Sequence, residues 1–235
     1  MRKIILFITA TAAALTMVLS CSKEKRDYPI AINVTATGSI SGNTFTDDGG
    51  TAYDIAANCT DAEIEDMDRV LVMFDVLDKI GEGRFSIRVL YVHKPLCKEP
   101  VKITDADEET LVMDPVLIDE GWISGGYINL RFIFSRLRES ETAHMINLVR
   151  EEGLQDDTLR FTLRHNGFGE GFAHEGNKVG YDEVAGFVCF DVSAMVPDGD
   201  ERIPVRITAP WYETTTDGIR TGETVDMVTR GILHR

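Results

Sequence analysis

Hydrophobic and polar residues alternate with a period of two through much of this chain. Ile30, Ile32, Val34 and Ala36 alternate with Ala31, Asn33, Thr35 and Thr37. Phe85, Ile87, Val89 and Tyr91 alternate with Ser86 and Arg88, until Leu90 and Val92 break the polar side. Ile128, Leu130, Phe132 and Phe134 alternate with Tyr127, Asn129, Arg131, Ile133 and Ser135. Leu159, Phe161 and Leu163 alternate with Arg160, Thr162 and Arg164, and Ile203, Val205 and Ile207 with Pro204, Arg206 and Thr208. Successive side chains of a strand point to opposite faces, so this period predicts strands. One face of each meets a core; the other meets water or a second domain. Residues 70–76 are apolar over their first five positions and predict a strand buried on both sides.

Turn residues separate these runs. Asp47-Asp48-Gly49-Gly50 lies between Thr44-Phe45-Thr46 and Thr51-Ala52-Tyr53, which predicts a hairpin. Asn166-Gly167 ends the 159–165 strand, and Pro197-Asp198-Gly199-Asp200 the strand around 184–192. Helical patterns are short, at 61–68 and 136–145. The segment from Thr104 to Asp119 is acidic, lacks alternation and carries Pro115, which predicts a boundary there. The expected fold class is mainly β: an OB-like β-barrel over 29–117, then a β-sandwich over 118–235. Four firm strand signals and a fifth near 111–113 suit a five-stranded barrel, and five or six suit a two-sheet sandwich.

The amino terminus departs from this pattern. Arg2 and Lys3 precede an apolar run, Ile4 to Leu19, too short for a spanning helix. Val18, Leu19, Ser20 and Cys21 then read as a lipobox. Residues 1–20 are the expected lipoprotein signal peptide and 21–28 the anchor and tether. Cys21 is the expected lipid-attachment site, its thiol taking a diacylglycerol thioether and its new amine a fatty acid such as palmitate. Several acyl chains anchor stably where one is marginal. The expected location is the cell envelope at the outer membrane, on its periplasmic or surface face.

Composition narrows the function classes. With 235 residues, 43% of them hydrophobic, a sizeable core is available and wholesale disorder is excluded. The 39 acidic against 24 basic residues give a net charge of -15. Nucleic acid is therefore not an expected partner, because phosphate contacts need clustered Lys and Arg. Residues 28–119 carry 7 basic and 18 acidic residues, and residues 120–235 carry 12 and 19, so both halves are acidic. Beyond Cys21 there are Cys59, Cys97 and Cys189, an odd number with no C-x-x-C pair. Zinc and thioredoxin-like chemistry are excluded. Cys189 reads as a core residue, and a Cys59–Cys97 bridge is one pairing left open.

Candidate chemistry is sparse. Ser124, with His144 or His165 as base, invites a serine-hydrolase reading. A nucleophile elbow needs glycines two before and two after the serine, and here Trp122 takes the first place. Gly167-Phe168-Gly169-Glu170-Gly171 lacks the spacing and the following helix of a nucleotide loop. The acidic stretches at 47–48, 105–109 and 198–200 are Ca²⁺ candidates, but none completes an EF-hand pattern. His165 shares parity with Leu159, Phe161 and Leu163, and is expected to face inward with a ring nitrogen on a backbone carbonyl. Trp211 and Tyr212 are the ligand-binding candidates, as an exposed aromatic platform for sugar or peptide, against the favoured reading of a strand-end plug.

Six motifs in order carry a family resemblance: Thr46-Asp47-Asp48-Gly49, Arg69-Val70-Leu71-Val72, Asp114-Pro115, Trp122 to Leu130, His144 to Val149, and Leu163-Arg164-His165-Asn166. The layout resembles the NigD-like lipoproteins of anaerobic Gram-negative bacteria. The resemblance implies an N-terminal OB-like domain and a C-terminal β-sandwich, and links the name to bacteriocin immunity. The expected function is that of a non-enzymatic envelope binding module for a protein, peptide or glycan, with no catalytic residue, metal or cofactor. An envelope hydrolase or metal-dependent enzyme, and a passive component of an outer-membrane complex, are the alternatives.

Overall fold

The computed structural model describes residues 28–233 apart from 62, 152–157, 171–179, 196–201 and 216–217, with side chains as far as Tyr212. The expected signal peptide, Cys21 and the tether as far as residue 27 lie outside the described residues. So does the turn at 197–200.

Five strands form the first body: β1 (Ala31–Ser41), β2 (Thr44–Asp47), β3 (Ala52–Asn58), β4 (Met67–Gly81) and β5 (Arg84–His93). They close into a barrel in the order β1-β2-β3-β5-β4. The expected hairpin joins β2 to β3, with Thr44 opposite Asp54. β3 and β5 run parallel, and the other pairs are antiparallel. This is the OB-like barrel that the sequence predicts, but its fifth strand is not at 111–113. All five strands lie within 31–93, and Met113 makes only an isolated bridge to His165. Phe45, Val70, Val72, Phe74, Ile87 and Val89 fill the interior with no exposure. The run at 70–76 is therefore buried mainly on one side. Leu71 and Met73 point outward and are only half-buried.

The second body is a sandwich. One sheet has the order β6-β12-β9-β8, from β6 (Leu96–Lys98), β12 (Tyr181–Asp191), β9 (Tyr127–Leu137) and β8 (Leu117–Ser124). The other has the order β14-β13-β11-β10-β7, from β14 (Gly218–Leu233), β13 (Ile203–Thr215), β11 (Leu159–Asn166), β10 (Met145–Arg150) and β7 (Val101–Lys102). Ile128, Leu130, Leu148, Phe161, Leu163, Val188 and Phe190 pack between them. Burying such side chains stabilises by about 1.5–3 kcal/mol each. Strands β6 and β7 pair with β12 and β10, so the chain enters both sandwich sheets before residue 103, well ahead of the expected division at 117/118. The described residues contain no α-helix; 136–137 belong to β9, and 63–66 are irregular.

Cys189 is fully buried, while Cys59 and Cys97 are exposed free thiols, so no Cys59–Cys97 bridge forms. His165 faces inward, and its Nδ1 donates to the Pro115 carbonyl at 3.1 Å. Trp211 and Tyr212 are not an exposed platform. They are 8% and 5% exposed, and their rings meet at a tilt of 58° with centroids 4.8 Å apart on β13. The bulge between Tyr212 and Glu213 breaks the alternation there. Burial also pushes the Tyr212 hydroxyl to a pKa above its ordinary value.

Candidate functional site

The outer face of the sheet containing β9 explains the site. Asn129 pairs with Trp122 on β8 and Cys189 on β12, and Arg131 pairs with Glu120 and Phe187. These two rows share one face, because positions two apart on a strand point the same way. The face opposite, with Ile128, Leu130 and Phe132, is the sandwich core. The barrel docks on the Asn129 face, and the polar half of the β9 alternation is therefore an inter-domain surface.

A buried polar network holds the two bodies together. Arg69 on β4 is 6% exposed. Its Nη1 donates to Asp48 Oδ1 at 2.5 Å, and its Nη2 to Asp48 Oδ2 at 3.0 Å and to Asn129 Oδ1 at 2.6 Å. Ser124 and Thr37 hydroxyls donate to Asp48 Oδ2 at 2.5 and 2.6 Å. Asn129 Nδ2 donates to Ser124 Oγ at 3.2 Å, and the Cys189 thiol donates to Asn129 Oδ1 at 3.1 Å. The Arg69 guanidinium also lies 4.3 Å from the Tyr127 ring centroid, within cation–π range. Burial alone would raise the Asp48 pKa. Hydrogen bonds from Arg69, Ser124 and Thr37, with the Arg69 charge, outweigh it and hold the carboxyl below its ordinary value.

The glycines complete the junction. Gly125 and Gly126, with φ of +57° and +79°, form the two-residue turn between β8 and β9. Positive φ at both positions is what such a hairpin requires.

Beside this network a cleft of about 390 Å³ opens between the bodies. Thr35 and Leu71 line it from the barrel, and Glu120, Trp122, Arg131 and Phe187 from the sandwich. Trp122 and Phe187 stack at 5.5 Å and 22°. Phe187 meets His93 edge-on at 6.2 Å, and His93 stacks on Tyr91 at 6.2 Å and 8°. An aromatic row thus runs from the half-exposed Tyr91 of the barrel to the sandwich. Arg131 bonds Asp119 at 2.5 Å and approaches Glu120 at 4.0 Å.

The structure does not bring Ser124 together with a histidine. Its hydroxyl serves the Asp48 network. His144 Nδ1 instead meets His165 Nε2 at 2.9 Å, and His144 Nε2 meets Glu170 Oε2 at 3.3 Å. Because His165 Nδ1 donates to Pro115, its Nε2 accepts from His144. Burial, then the neighbouring His144, lowers His165 to about 4. Bonds from Ser140, Thr142 and His144 hold Glu170 at about 2. The Asp47 carboxylate is likewise committed to its own turn, accepting from Gly49, Thr51 and Tyr53. No group of three metal-ligating side chains occurs among the described residues.

Sequence reasoning did not single out Thr37, Asp48, Arg69 and Asn129 as a cluster. The available signal was that Asp48, Arg69, Ser124 and Asn129 all fall in the ordered motifs, while Arg69 and Asn129 are polar residues beside strongly apolar runs. The cleft residues Glu120, Arg131 and Phe187 carried no signal of their own.

Comparisons with known proteins agree with this architecture. Residues 99–213 match the NigD-like C-terminal beta sandwich domain. Among solved structures, a NigD-like immunity protein from Bacteroides caccae is 16% identical, with a TM-score of 0.59 over 85% of this chain and 92% of that one. A candidate toxin-related protein from Parabacteroides distasonis is 24% identical, with a TM-score of 0.55 over 83% and 92%. A candidate lipoprotein from Bacteroides fragilis is 15% identical, with a TM-score of 0.56 over 86% and 98%. At these identities the structures show a shared fold. No curated protein sequence matches the chain.

Proposed function

We propose that this chain, which belongs to the NigD-like family, is a lipid-anchored envelope protein that binds a neutral glycan in the cleft between barrel and sandwich, without catalysing a reaction on it. The stacked Trp122–Phe187 wall beside Glu120 and Arg131 carries this reading. An aromatic wall suits the apolar face of a sugar ring, while the carboxylate accepts and the guanidinium donates to ring hydroxyls. The cleft volume lies in the range of small-ligand sites. The net charge of -15 disfavours polyanionic ligands. The lipobox ending at Cys21 supports the anchor, as does the fold shared with the Bacteroides fragilis candidate lipoprotein. Outer-membrane placement belongs to the same proposal. Immunity is said of the Bacteroides caccae protein, and the cleft chemistry does not require it here.

Two experiments test this reading. Palmitate labelling of wild type and Cys21→Ser is expected to mark only the wild type; an unlabelled wild type removes the anchor. Calorimetric titration of the native protein with a panel of neutral oligosaccharides is expected to find a binder. Trp122→Ala and Phe187→Ala are each expected to weaken it about tenfold or more, the equivalent of about 1.4 kcal/mol. Binding of peptides but not sugars, or sugar binding indifferent to both variants, overturns the assignment.

A further inference from the structure

Four of the ten large hydrophobic residues exposed among the described residues gather at one end of the barrel: Tyr28, Ile30 and Ile32 at 73, 46 and 66% exposure, and Ile80 at 49%. The register places them together. β1 and β4 are antiparallel with Ala31 opposite Val76, and the Ile30 amide donates to the Val76 carbonyl at 2.7 Å. Moving back along β1 toward Tyr28 therefore moves forward along β4 toward Ile80. The sandwich contacts lie farther along β1, around Thr35 and Thr37.

We propose that this end of the barrel rests on the lipid surface that carries the anchor, with the sandwich and its cleft held away from it. This inference rests on acylation at Cys21. The residues from Ser22 to Tyr28 are seven in number and link this end to Cys21. Fully extended they span about 25 Å at most, so this end cannot leave the neighbourhood of the bilayer. Charge selects the same face. The tether at 22–28 has three basic residues, Lys23, Lys25 and Arg26, against Glu24 and Asp27, in a chain that is otherwise strongly acidic. At the β4–β5 turn, Asp78 and Glu82 are balanced by Lys79 and Arg84. An anionic headgroup layer repels the rest of the surface and tolerates this near-neutral, apolar end. Aromatic and aliphatic side chains there enter the headgroup boundary as those of interfacial segments do.

The test uses Tyr28→Trp in the mature, natively acylated protein, reconstituted into phosphatidylethanolamine–phosphatidylglycerol vesicles whose acyl chains are brominated. Emission of the added tryptophan, taken against wild type, is expected to be quenched and blue-shifted. Adding Ile30→Asn and Ile32→Asn is expected to relieve the quenching. Unquenched emission from protein that still floats with the vesicles overturns the proposal while leaving the anchor intact. If the mass of the native protein shows no acyl chains, the anchor reading fails separately. The soluble Tyr28→Trp protein is then mixed with the same vesicles in excess, where quenching still supports the lipid-facing end and its absence removes it.

Discussion

The backbone of Gly125 in the sandwich presses directly on the carboxylate of Asp48 in the barrel. A Cβ at Gly125 would lie 2.5 Å from Asp48 Oδ1 and 3.2 Å from Arg69 Nη1. The hairpin turn and the ion pair therefore fit together only if this position has no side chain.

Gly125→Ala is expected to destabilise the protein by about 2–4 kcal/mol, from the strained positive φ and from displacement of the ion pair. Urea unfolding measures this, and loss below about 0.5 kcal/mol would show that the junction yields freely. Barrel and sandwich are expected to loosen together.

Arg69→Met is expected to cost about 3–5 kcal/mol, because it strands the Asp48 carboxylate in a largely buried site. Asp48→Asn added to it is expected to cost less than the sum of the two single changes. A coupling of about 1 kcal/mol or more in the double-mutant cycle confirms the pair. Additive losses would show that the two side chains act independently.

Acid is expected to destabilise the sandwich through His165. The native state holds this imidazole at about 4, below its ordinary 6.5. As pH falls below 6.5 the unfolded chain takes up a proton that the folded chain refuses. The stability is full above 6.5 and is lost on the way down to about 4, by up to about 3 kcal/mol. Glu170, held at about 2, adds a further loss below 4.5. His165→Gln is expected to be less stable at neutral pH but to show a flatter dependence between pH 7.5 and 4.5. An unchanged slope would place the titration elsewhere.

Thiol labelling is expected to separate the three cysteines of the folded part. Cys59 and Cys97 are exposed and should react in the native state. Cys189 is fully buried, and burial pushes its thiol up to about 11, so it should react only on unfolding. Rapid modification of all three would contradict the Cys189–Asn129 contact.

Most of the fold was legible because period-two alternation marks strands strongly. The β9 run gave both its core face and a second face, and the second face became the barrel contact. The division at 117/118 was misplaced because β6 and β7, of three and two residues, are too short to show alternation. Leu71, which lines the cleft against the sandwich, is hard to place from sequence for a related reason. An outward residue covered by another domain reads the same as one inside a core. Trp211 and Tyr212 are buried, as the strand-end plug reading expects, and do not form an exposed platform. The cleft was the least legible part. Its walls come from positions 35, 71, 120, 122, 131 and 187, and only tertiary packing brings such distant residues together.

The short strands β6 and β7 each cap part of a sheet edge. Each is the outermost member of its sheet, laid parallel against β12 or β10. Without them, Val188–Phe190 of β12 and Val149–Arg150 of β10 would add their amides and carbonyls to the unpaired edge that can template another chain. A cut at 117/118 would separate the sandwich from these two margins, so residues 118–235 produced alone should associate with themselves. Severing the chain between His93 and Leu96 would keep both short strands with the sandwich.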